Sequence, residues 1–421
     1  MKVNLQYGQT GIEIDLPFSR VRVLRPKFIP GLEHEQAEFE RACRIPIDSP
    51  PLKNLINPDD RVAVVIPDGT RALPSDRLLP WLFAELAHVP AENFTVIIGT
   101  GTHRPNTPEE IINFIGPEIA TRYNVINHSA YAETTLAETG FVNELGTPLK
   151  MNKTYVQADK RILLGFIEPH FMAGFSGGYK AVFPGVTDID SILDYHRPEI
   201  IGHPNSAWGV LEDNPTQDRI RQSGSVRPVD FLINVTLNER RAITGFFCGE
   251  VIAAHRKGSA FAKETAMTPV EHPYPLVITT NSGFPLDQNL YQSVKGMAAA
   301  AEIVAEGGQI LLAAECRDGF PEHGNFARLI FEHDSPQAML DTVYQPGFRL
   351  LDQWQIQKLA LIQLKAQVAV YSQIPKEQIR RAGLKPVTDL NRYLKELHSK
   401  LGDVSIAVLP EGPLTIPYLA V

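Results

Sequence analysis

The chain has 421 residues, of which 43% are hydrophobic and 21% charged, and its formal net charge is −8. This length exceeds the size at which one hydrophobic core usually keeps growing, so two domains of roughly 150 to 250 residues are expected. The acidic balance provides no basic field that would hold nucleic acid or anionic lipid, which leaves small molecules, or further copies of the chain in a homo-oligomer, as the expected partners.

The cysteines and the first residues together predict a cytoplasmic protein. Cys43, Cys248 and Cys316 lie far apart in the sequence and form no CxxC pair, which argues against a disulfide framework and against a thiolate zinc site. The opening residues MKVNLQYGQTGIEIDLP lack the basic and then apolar pattern of a signal peptide. No apolar run approaches the ~20 residues that span a bilayer, so no membrane partner is expected.

Strand-to-helix units open the first predicted domain. The run RVAVVIPDGTR predicts a buried strand and a turn, and the helical pattern after it has Ser75 as its predicted N-cap. A second strand and turn follow in NFTVIIGTGTHRP, and TPEEIINFIGPEIATRY predicts a second helix that begins with threonine and acidic residues. The run RILLGFIEPHF predicts a third strand. Repeated units of this kind predict a parallel sheet, in which ligands gather at the carboxyl ends of the strands.

The second half of the chain predicts another α/β domain. The stretch FLINVTLNERRAITGFFCG predicts a hairpin, and an alanine-rich helix then runs to about Thr268. The stretch TPVEHPYP is the predicted linker, because its prolines cannot continue a helix. Four predicted strands follow it, in LVITTNSG, QILLAAEC, QVAVYSQ and SIAVLPEG. We therefore predict α/β domains over residues 1–268 and 269–421, with largely parallel sheets and an active-site cleft between the domains.

The loop GFSGGYKAVFPG, which follows the third strand, allows several interpretations. A Walker loop requires glycine before the lysine and Ser or Thr after it, but Tyr179 and Ala181 occupy those positions. Gly177 and Gly178 either present backbone N–H groups to a single phosphate or form a plain tight turn. Lys180 is a phosphate counter-charge, a structural residue, or an amine that becomes covalently attached to a substrate or cofactor.

Two histidines have positions that favour catalysis. His103 and His170 each follow an apolar strand directly, as do Asp68 and Arg71, so these side chains are expected to converge on one sheet edge. Imidazoles from separate strands suit acid–base work on both faces of one substrate. His196, in DYHRPE, has no HExxH or paired His/Cys spacing that would complete a protein-only zinc site, so a metal there would need ligands from outside the chain.

In the second domain, YQSVKG places Tyr291, Gln292 and Lys295 in the first turns of a predicted helix that glycines are expected to cap. One interpretation is that Lys295 and Arg71 hold a carboxylate from opposite sides of the cleft. A solvated helical face is the commoner explanation for such a cluster.

A set of short motifs spans most of the chain. They are PDGTR (Asp68, Arg71), GTGTHRP (His103), EPHFMAGFSGGYKAVFPG (His170, Lys180), DYHRPE (His196), YQSVKG (Tyr291, Gln292, Lys295) and DQWQIQK (Trp354). In order and approximate spacing this set resembles the nickel-dependent lactate racemase family, whose members are nickel-pincer 2-hydroxy acid racemases and epimerases.

The resemblance implies a cofactor. In the family a lysine of the glycine-rich loop is joined through a thioamide to a pyridinium mononucleotide, the nickel-pincer nucleotide (pyridinium-3-thioamide-5-thiocarboxylic acid mononucleotide), whose two sulfurs and one ring carbon bind nickel. By position, Lys180 is that lysine and His196 is the fourth nickel ligand, in the square-planar arrangement that nickel favours. Enzymes of cofactor biosynthesis would be partners in loading. The remaining implied cofactor-binding residues are Asp68, Ser176, Gly177, Gly178 and Lys295.

The resemblance also implies a reaction, the inversion of C2 of a 2-hydroxy acid by reversible hydride transfer. His103 and His170 match the acid–base pair, and the implied substrate-binding residues are Arg71, Tyr291, Gln292, Lys295 and Trp354. The side chain of the acid does not follow from these residues, so the sequence leaves open lactate, malate, an aromatic acid or a sugar acid. A pyridoxal-phosphate enzyme, a zinc-dependent enzyme and a non-catalytic protein that binds small acids remain the alternatives.

Overall fold

The fold is described by a computed structural model over residues 1–238, 240–321 and 324–420. Its strands are β1 (Lys2–Leu5), β2 (Ile12–Asp15), β3 (Val21–Val23), β4 (Val62–Pro67), β5 (Phe94–Gly99), β6 (Asn124–Asn127), β7 (Leu136–Val142), β8 (Pro148–Asn152), β9 (Lys160–Phe166), β10 (Pro169–His170), β11 (Gly174–Phe175), β12 (Phe231–Leu237), β13 (Ile243–Gly249), β14 (Met267–Val270), β15 (Tyr274–Thr280), β16 (Val304–Ala313), β17 (Gln367–Tyr371), β18 (Lys385–Val387), β19 (Ile406–Leu409) and β20 (Ile416–Leu419).

The helices are α1 (Glu35–Arg44), α2 (Ser75–Glu85), α3 (Pro108–Ile115), α4 (Pro117–Arg122), α5 (Lys153–Gln157), α6 (Ile189–Tyr195), α7 (Pro198–Ile201), α8 (Pro215–Gly224), α9 (Val251–Ala266), α10 (Leu290–Ala301), α11 (Phe326–Phe331), α12 (Pro336–Val343), α13 (Gln353–Lys365), α14 (Lys376–Arg381) and α15 (Leu390–Leu401). Among the described residues, no helix combines the length and the apolar character needed to cross a membrane.

The chain divides into two compact units that alternate along the sequence. Unit 1 comprises Met1–Lys27, His196–Pro204 and Glu264–Val421, and unit 2 comprises Phe28–Tyr195 and Asn205–Lys263. A single boundary after residue 268 therefore does not reproduce the units. The N-terminal residues group with unit 1 because β3 pairs with β19 in its sheet.

Unit 2 is built around a six-stranded sheet with the order β13-β12-β9-β4-β5-β6. The pairs from β12 to β6 are parallel, and β13 pairs antiparallel with β12, which confirms the predicted hairpin. The first five residues of β4 are fully buried, and so are residues 161–166 of β9. Continuous apolar runs of this kind are typical of parallel strands that are covered on both faces. The three strands predicted from them are adjacent in the sheet.

Unit 1 contains a second six-stranded sheet, with the order β18-β17-β16-β15-β19-β3. All of its neighbouring strands are parallel. The four strands predicted after residue 269 are confirmed as β15, β16, β17 and β19. Leu276, Ile278, Leu311 and Val408 from these strands lie in the apolar core of the unit.

Several local predictions were wrong. The predicted linker is largely strand, because its first residues form β14, which pairs with β20. Pro269 is tolerated there because this two-stranded ladder leaves one edge of each strand unpaired.

Three predictions of helix ends were also wrong. Ser75 is the first residue of α2 and makes no capping hydrogen bond. The predicted second helix is two helices, since Gly116, at φ 86°, ends α3. The helix α10 ends at Ala301 with Glu302 as its C-cap residue, not at glycines, and Asn289 caps its start.

Candidate active site

Asp68 and His103 meet at the carboxyl edge of the unit 2 sheet. They follow β4 and β5, which are neighbouring parallel strands, so both side chains emerge at the same edge. The Nδ1–H group of His103 donates a hydrogen bond of 2.6 Å to Oδ2 of Asp68. A carboxylate only accepts, so the neutral imidazole carries its proton on Nδ1 and leaves Nε2 as an acceptor. The sequence-based expectation that these strand ends converge is confirmed for this pair.

Asp68 is an ionised group in a buried position. Its side chain is 4% exposed, and its other oxygen accepts from the backbone N–H and the hydroxyl of Thr70. Burial raises the pKa of a carboxyl group, but the hydrogen bonds from His103 and Thr70 and the nearby charge of Arg71 outweigh it and lower the pKa of Asp68. The carboxylate therefore fixes both the orientation and the tautomer of His103, whose side chain is 46% exposed.

His170 is held in a different way. It lies in β10, which pairs antiparallel with β11 in a short ladder just after β9. Its Nδ1 accepts from the backbone N–H groups of Met172 and Ala173, at 3.2 Å each. An Nδ1 that accepts places the proton of the neutral ring on Nε2. The two histidines therefore present different groups, an Nε2 acceptor on His103 and an Nε2–H donor on His170.

The glycine loop lies directly against the sheet. Gly177 and Gly178 have φ values of 86° and 57°, in the left-handed region that favours glycine. A Cβ atom at residue 177 would stand 2.5 Å from Oδ1 of Asn234, which also accepts a 2.9 Å hydrogen bond from the Gly178 N–H group. A Cβ atom at Gly165 would lie 3.8 Å from the Gly177 Cα atom. The loop can pack this closely because these positions carry no side chains.

A buried histidine supports the loop from α9. The Nε2–H group of His255 donates to the Ser176 carbonyl at 2.8 Å, and a Cβ atom at Gly178 would lie 2.9 Å from Cγ of His255. Burial lowers the pKa of His255 to about 4, against an opposing effect of the Ser176 hydrogen bond. The ring is therefore neutral near pH 7 and acts as a fixed donor.

The groups predicted to bind a phosphate make bonds within the protein. The Ser176 hydroxyl accepts from the Glu168 N–H group at 3.0 Å and donates to the Phe166 carbonyl at 3.0 Å. The Gly178 N–H group is bonded to Asn234. A phosphate-binding role for Ser176, Gly177 and Gly178 stays a prediction.

Lys180 follows in the 3₁₀ helix Gly178–Ala181 and is half-buried. The residues after it turn back tightly, since a Cβ atom at Gly185 would stand 2.1 Å from the Ala181 carbonyl oxygen. The Gly185 carbonyl accepts a 3.0 Å hydrogen bond from the Gly101 N–H group. Gly101 lies two residues before His103, so the lysine segment and the His103 turn are bound to each other.

Three of the candidate residues are in contact within unit 1. The His196 and Trp354 rings lie with their centroids 4.0 Å apart and their planes at 32°. The Trp354 Nε1–H group donates to the Tyr291 hydroxyl at 3.2 Å. Gln292 and Lys295 follow Tyr291 on α10 and are half-buried. Arg71 belongs to unit 2 and is exposed, and its joint action with Lys295 on a carboxylate stays a prediction.

The described part of the chain offers no group of three or more His, Cys, Asp or Glu side chains that could hold a metal ion. Cys43, Cys248 and Cys316 are buried free thiols. A metal bound by His196 would therefore need donor atoms that the described side chains do not supply.

Family models match both halves of the chain: the lactate racemase N-terminal domain covers residues 7–209 and the lactate racemase C-terminal domain covers residues 270–416. The chain belongs to the lactate racemase family. It is 33% identical over 419 residues to a lactate racemase of Thermoanaerobacterium thermosaccharolyticum, with 97% of each chain covered. It is 33% identical over 383 residues to a lactate racemase of Lactiplantibacillus plantarum, with 90% of each covered.

Solved structures agree with this family assignment. The lactate racemase apoprotein of T. thermosaccharolyticum superposes with a TM-score of 0.92 at 33% identity, over 99% of this chain and 100% of that one. A protein from Thermotoga maritima has a TM-score of 0.70 at 17% identity, over 94% of this chain and 100% of that one, which shows a shared fold alone. These findings confirm the predicted α/β class with largely parallel sheets. As a member of a racemase family, the chain is an isomerase.

Three residues that support the site, Thr70, Asn234 and His255, were not predicted from the sequence. Asn234 could have been recognised from the sequence, because it is a polar residue inside the apolar run of β12. In the structure it is 1% exposed. A buried amide needs hydrogen-bond partners, which points to a close backbone. Thr70 stands inside PDGTR, but its bond to Asp68 depends on the turn that follows β4. His255 lies in an ordinary helical pattern and left no signal.

The close contact of the glycine loop predicts a difference between two glycines with similar φ angles. Gly146 has a φ of 82° and nothing within 4 Å of its Cβ position, so Gly146→Ala bears only the strain of a positive φ, about 1–2 kcal/mol. Gly177 combines a φ of 86° with a ψ of −167°, a region essentially restricted to glycine, so Gly177→Ala bears at least as much backbone strain, and its clash with Asn234 adds about 1–3 kcal/mol. Urea unfolding measures both free energies. Equal losses would show that the loop moves away from Asn234 at little cost.

Proposed function

We propose that this protein is a racemase or epimerase that inverts C2 of a 2-hydroxy acid. The observation that carries the proposal is the pair of differently held histidines, one of them on a turn bonded to the segment of the half-buried Lys180, in a chain 33% identical to lactate racemases over nearly its full length. A racemase must stabilise nearly mirror-image transition states, which requires acid–base groups on both faces of the substrate. Lactate is the substrate that the names of the relatives suggest, and a longer hydroxy acid would make the reaction an epimerisation.

The described side chains that could bind a metal fit a nickel-pincer nucleotide that is tethered to a lysine. Among the described residues the protein offers His196, 8% exposed, without further ligands to complete a site, and the pincer supplies three donor atoms of its own. We propose that Lys180 bears the nucleotide through a thioamide and that His196 is the fourth nickel ligand. When bound, the cofactor supplies a reversible acceptor for the C2 hydride. Loading would involve cofactor-biosynthesis enzymes, and a cytoplasmic homo-oligomer remains part of the proposal.

The protein's own residues account for the proton. Nε2 of His103 accepts the proton of the substrate hydroxyl, and Asp68 stabilises the imidazolium that forms, since its carboxylate already holds the Nδ1–H group. His170 starts as a neutral ring with its proton on Nε2, and to return a proton to the product oxygen it would act as an imidazolium, with a second proton on Nδ1 in place of the bonds from Met172 and Ala173. For His170 to act as the base, its proton must move to Nδ1, which breaks the bonds from Met172 and Ala173, or the ring must rotate. The change between acid and base therefore costs more free energy at His170, which loses two hydrogen bonds, than at His103, which keeps its bond to Asp68.

The remaining assigned residues bind the shared hydroxy-carboxylate end of the substrate or the cofactor. We propose that Arg71 and Lys295 bind the carboxylate, because a fixed cation on each side sets its orientation. Tyr291, Gln292 and Trp354 support that end, and the Tyr291–Trp354 hydrogen bond gives them a fixed relation within unit 1. Exclusion of bulk water from the site would protect the hydride chemistry that the bound cofactor would supply.

Mass spectrometry of the holo-protein tests the cofactor. We expect the intact mass to carry a sulfur-containing adduct that maps to Lys180, together with one nickel by elemental analysis. Lys180→Arg keeps the charge but cannot form a thioamide, so the adduct and the activity should both disappear. A borohydride-trapped pyridoxyl group on Lys180, or stoichiometric zinc in place of nickel, would replace this proposal with one of its alternatives.

Isotope retention tests the hydride step. Holo-protein is offered enantiopure 2-hydroxy acids in heavy water, and the expected result is inversion with the C2 hydrogen retained. Deuterium from the solvent at C2 would instead indicate proton abstraction from carbon. The absence of inversion across the whole panel of acids, with the cofactor present, would favour a binding protein.

Asp68→Asn tests the proton relay. An amide does not stabilise the imidazolium of His103, so kcat/KM should fall by about 10²–10⁴-fold, the range of general acid–base catalysis. The matched control is Asp159→Asn, which removes an exposed carboxylate paired with Arg61 and should leave kcat/KM within twofold. A loss of less than fivefold for Asp68→Asn would remove Asp68 from the mechanism.

A further inference from the structure

Helix α13 begins with an unusual run of buried amides. Gln353, Gln355 and Gln357, which we call the amide row, are 0%, 1% and 0% exposed. A buried amide costs free energy unless its donors and acceptor are paired. In this row each side-chain NH₂ group donates to a backbone carbonyl of another segment of unit 1.

Two members of the row hold the segment that carries His196. Gln353 donates to the His196 carbonyl at 3.0 Å, while its own Oε1 accepts from the Leu350 N–H group at 2.8 Å. Gln357, one turn later on the same face, donates to the Pro198 carbonyl at 2.8 Å. The Tyr344 hydroxyl donates to the same carbonyl at 3.2 Å.

The fit of this segment against α13 is close. A Cβ atom at Gly202 would stand 2.4 Å from the Tyr344 hydroxyl and 2.9 Å from Nε2 of Gln357. Trp354, between the two glutamines in sequence, lies against the His196 ring. The backbone of residues 196–198 is thus held by hydrogen bonds, and the plane of the imidazole is restricted by the indole.

Resting on the proposed function, we propose that Gln353 and Gln357 are positioning residues that fix His196 as a nickel ligand. A nickel centre with one protein ligand depends on the direction of that single imidazole, because no other side chain corrects an error in it. Amide groups suit this task, since they make directed hydrogen bonds and carry no charge that would compete for the metal. Side chains that orient a metal ligand typically change metal affinity or activity 10–100-fold when they are replaced.

The test uses the holo-protein and substitutions at residue 353. Gln353→Glu replaces the donor to the His196 carbonyl with a carboxylate that repels it, and Gln353→Met removes the donor without adding charge. We expect both variants to release nickel to a chelator at least tenfold faster than the wild type, and the visible absorption of the nickel centre to shift. Thermal unfolding of the same samples shows whether each variant is folded.

The matched control lies on the same helix. Gln363 donates from its side chain to the Ala382 carbonyl at 2.8 Å, an equivalent bond at the far end of α13. Gln363→Glu should lower the thermal stability and leave the nickel release and the absorption spectrum at wild-type values. Equal nickel release in the wild type and in folded Gln353 variants, or equally rapid release in Gln363→Glu, would overturn the inference alone. A wild type with no nickel would overturn the proposed function, and the inference with it.

Discussion

The close approach of the glycine loop to the carboxyl edge of the unit 2 sheet is the constraint on which the site of that unit depends. Gly165 in β9 and Gly177 in the loop face each other, and the 3₁₀ helix that bears Lys180 follows directly. Gly185 then joins the loop to the turn after β5 through Gly101. A side chain at residue 177 or 185 would meet oxygen atoms at 2.5 Å or less, so the lysine and His103 are held in relation to each other by positions that have no side chain.

Two buried polar groups lie behind this edge: the Asp68 carboxylate, which is ionised, and the His255 imidazole, which is neutral. Burial favours the neutral form of both, so it accounts for the state of His255 but not for that of Asp68. Burial, with a smaller contribution from the charge of Arg221, lowers the pKa of His255, so the ring is neutral near pH 7 and remains a fixed donor to Ser176. Asp68 stays ionised although it is buried, because His103 and Thr70 donate to it. His103 is exposed, in contrast to these two buried groups, and its Nδ1–H group is directed by the Asp68 carboxylate.

The sequence predicted the strands of both sheets better than the contacts between them. Apolar runs such as VAVVIP in β4 are easy to recognise as strands, because parallel strands are buried on both faces. Because these runs located the strand ends, Asp68 and His103 could be predicted to lie at one edge of the sheet. The strand β14 was mistaken for a linker, since it contains a proline and pairs with β20, which lies far along the chain. Asn234 and His255 contact the loop through the tertiary fold, and no local pattern encodes those partners.

The His196 segment shows why such long-range contacts cannot be predicted from local sequence patterns, and how they hold a segment in place. Residues 196–204 belong to unit 1 although the residues on both sides belong to unit 2, and they are fixed by the amides of Gln353 and Gln357, which lie 157 and 159 residues along the chain from the carbonyls they bond. In unit 2 the Lys180 segment packs closely because Gly177 and Gly185 have no side chains, and in unit 1 the His196 segment is held by hydrogen bonds from glutamines. Neither device titrates near neutral pH. The glycine loop before Lys180 and the backbone of His196 are therefore held by contacts that do not depend on a change of protonation near neutral pH, unlike the His170 turn, whose bonds from Met172 and Ala173 require an unprotonated Nδ1.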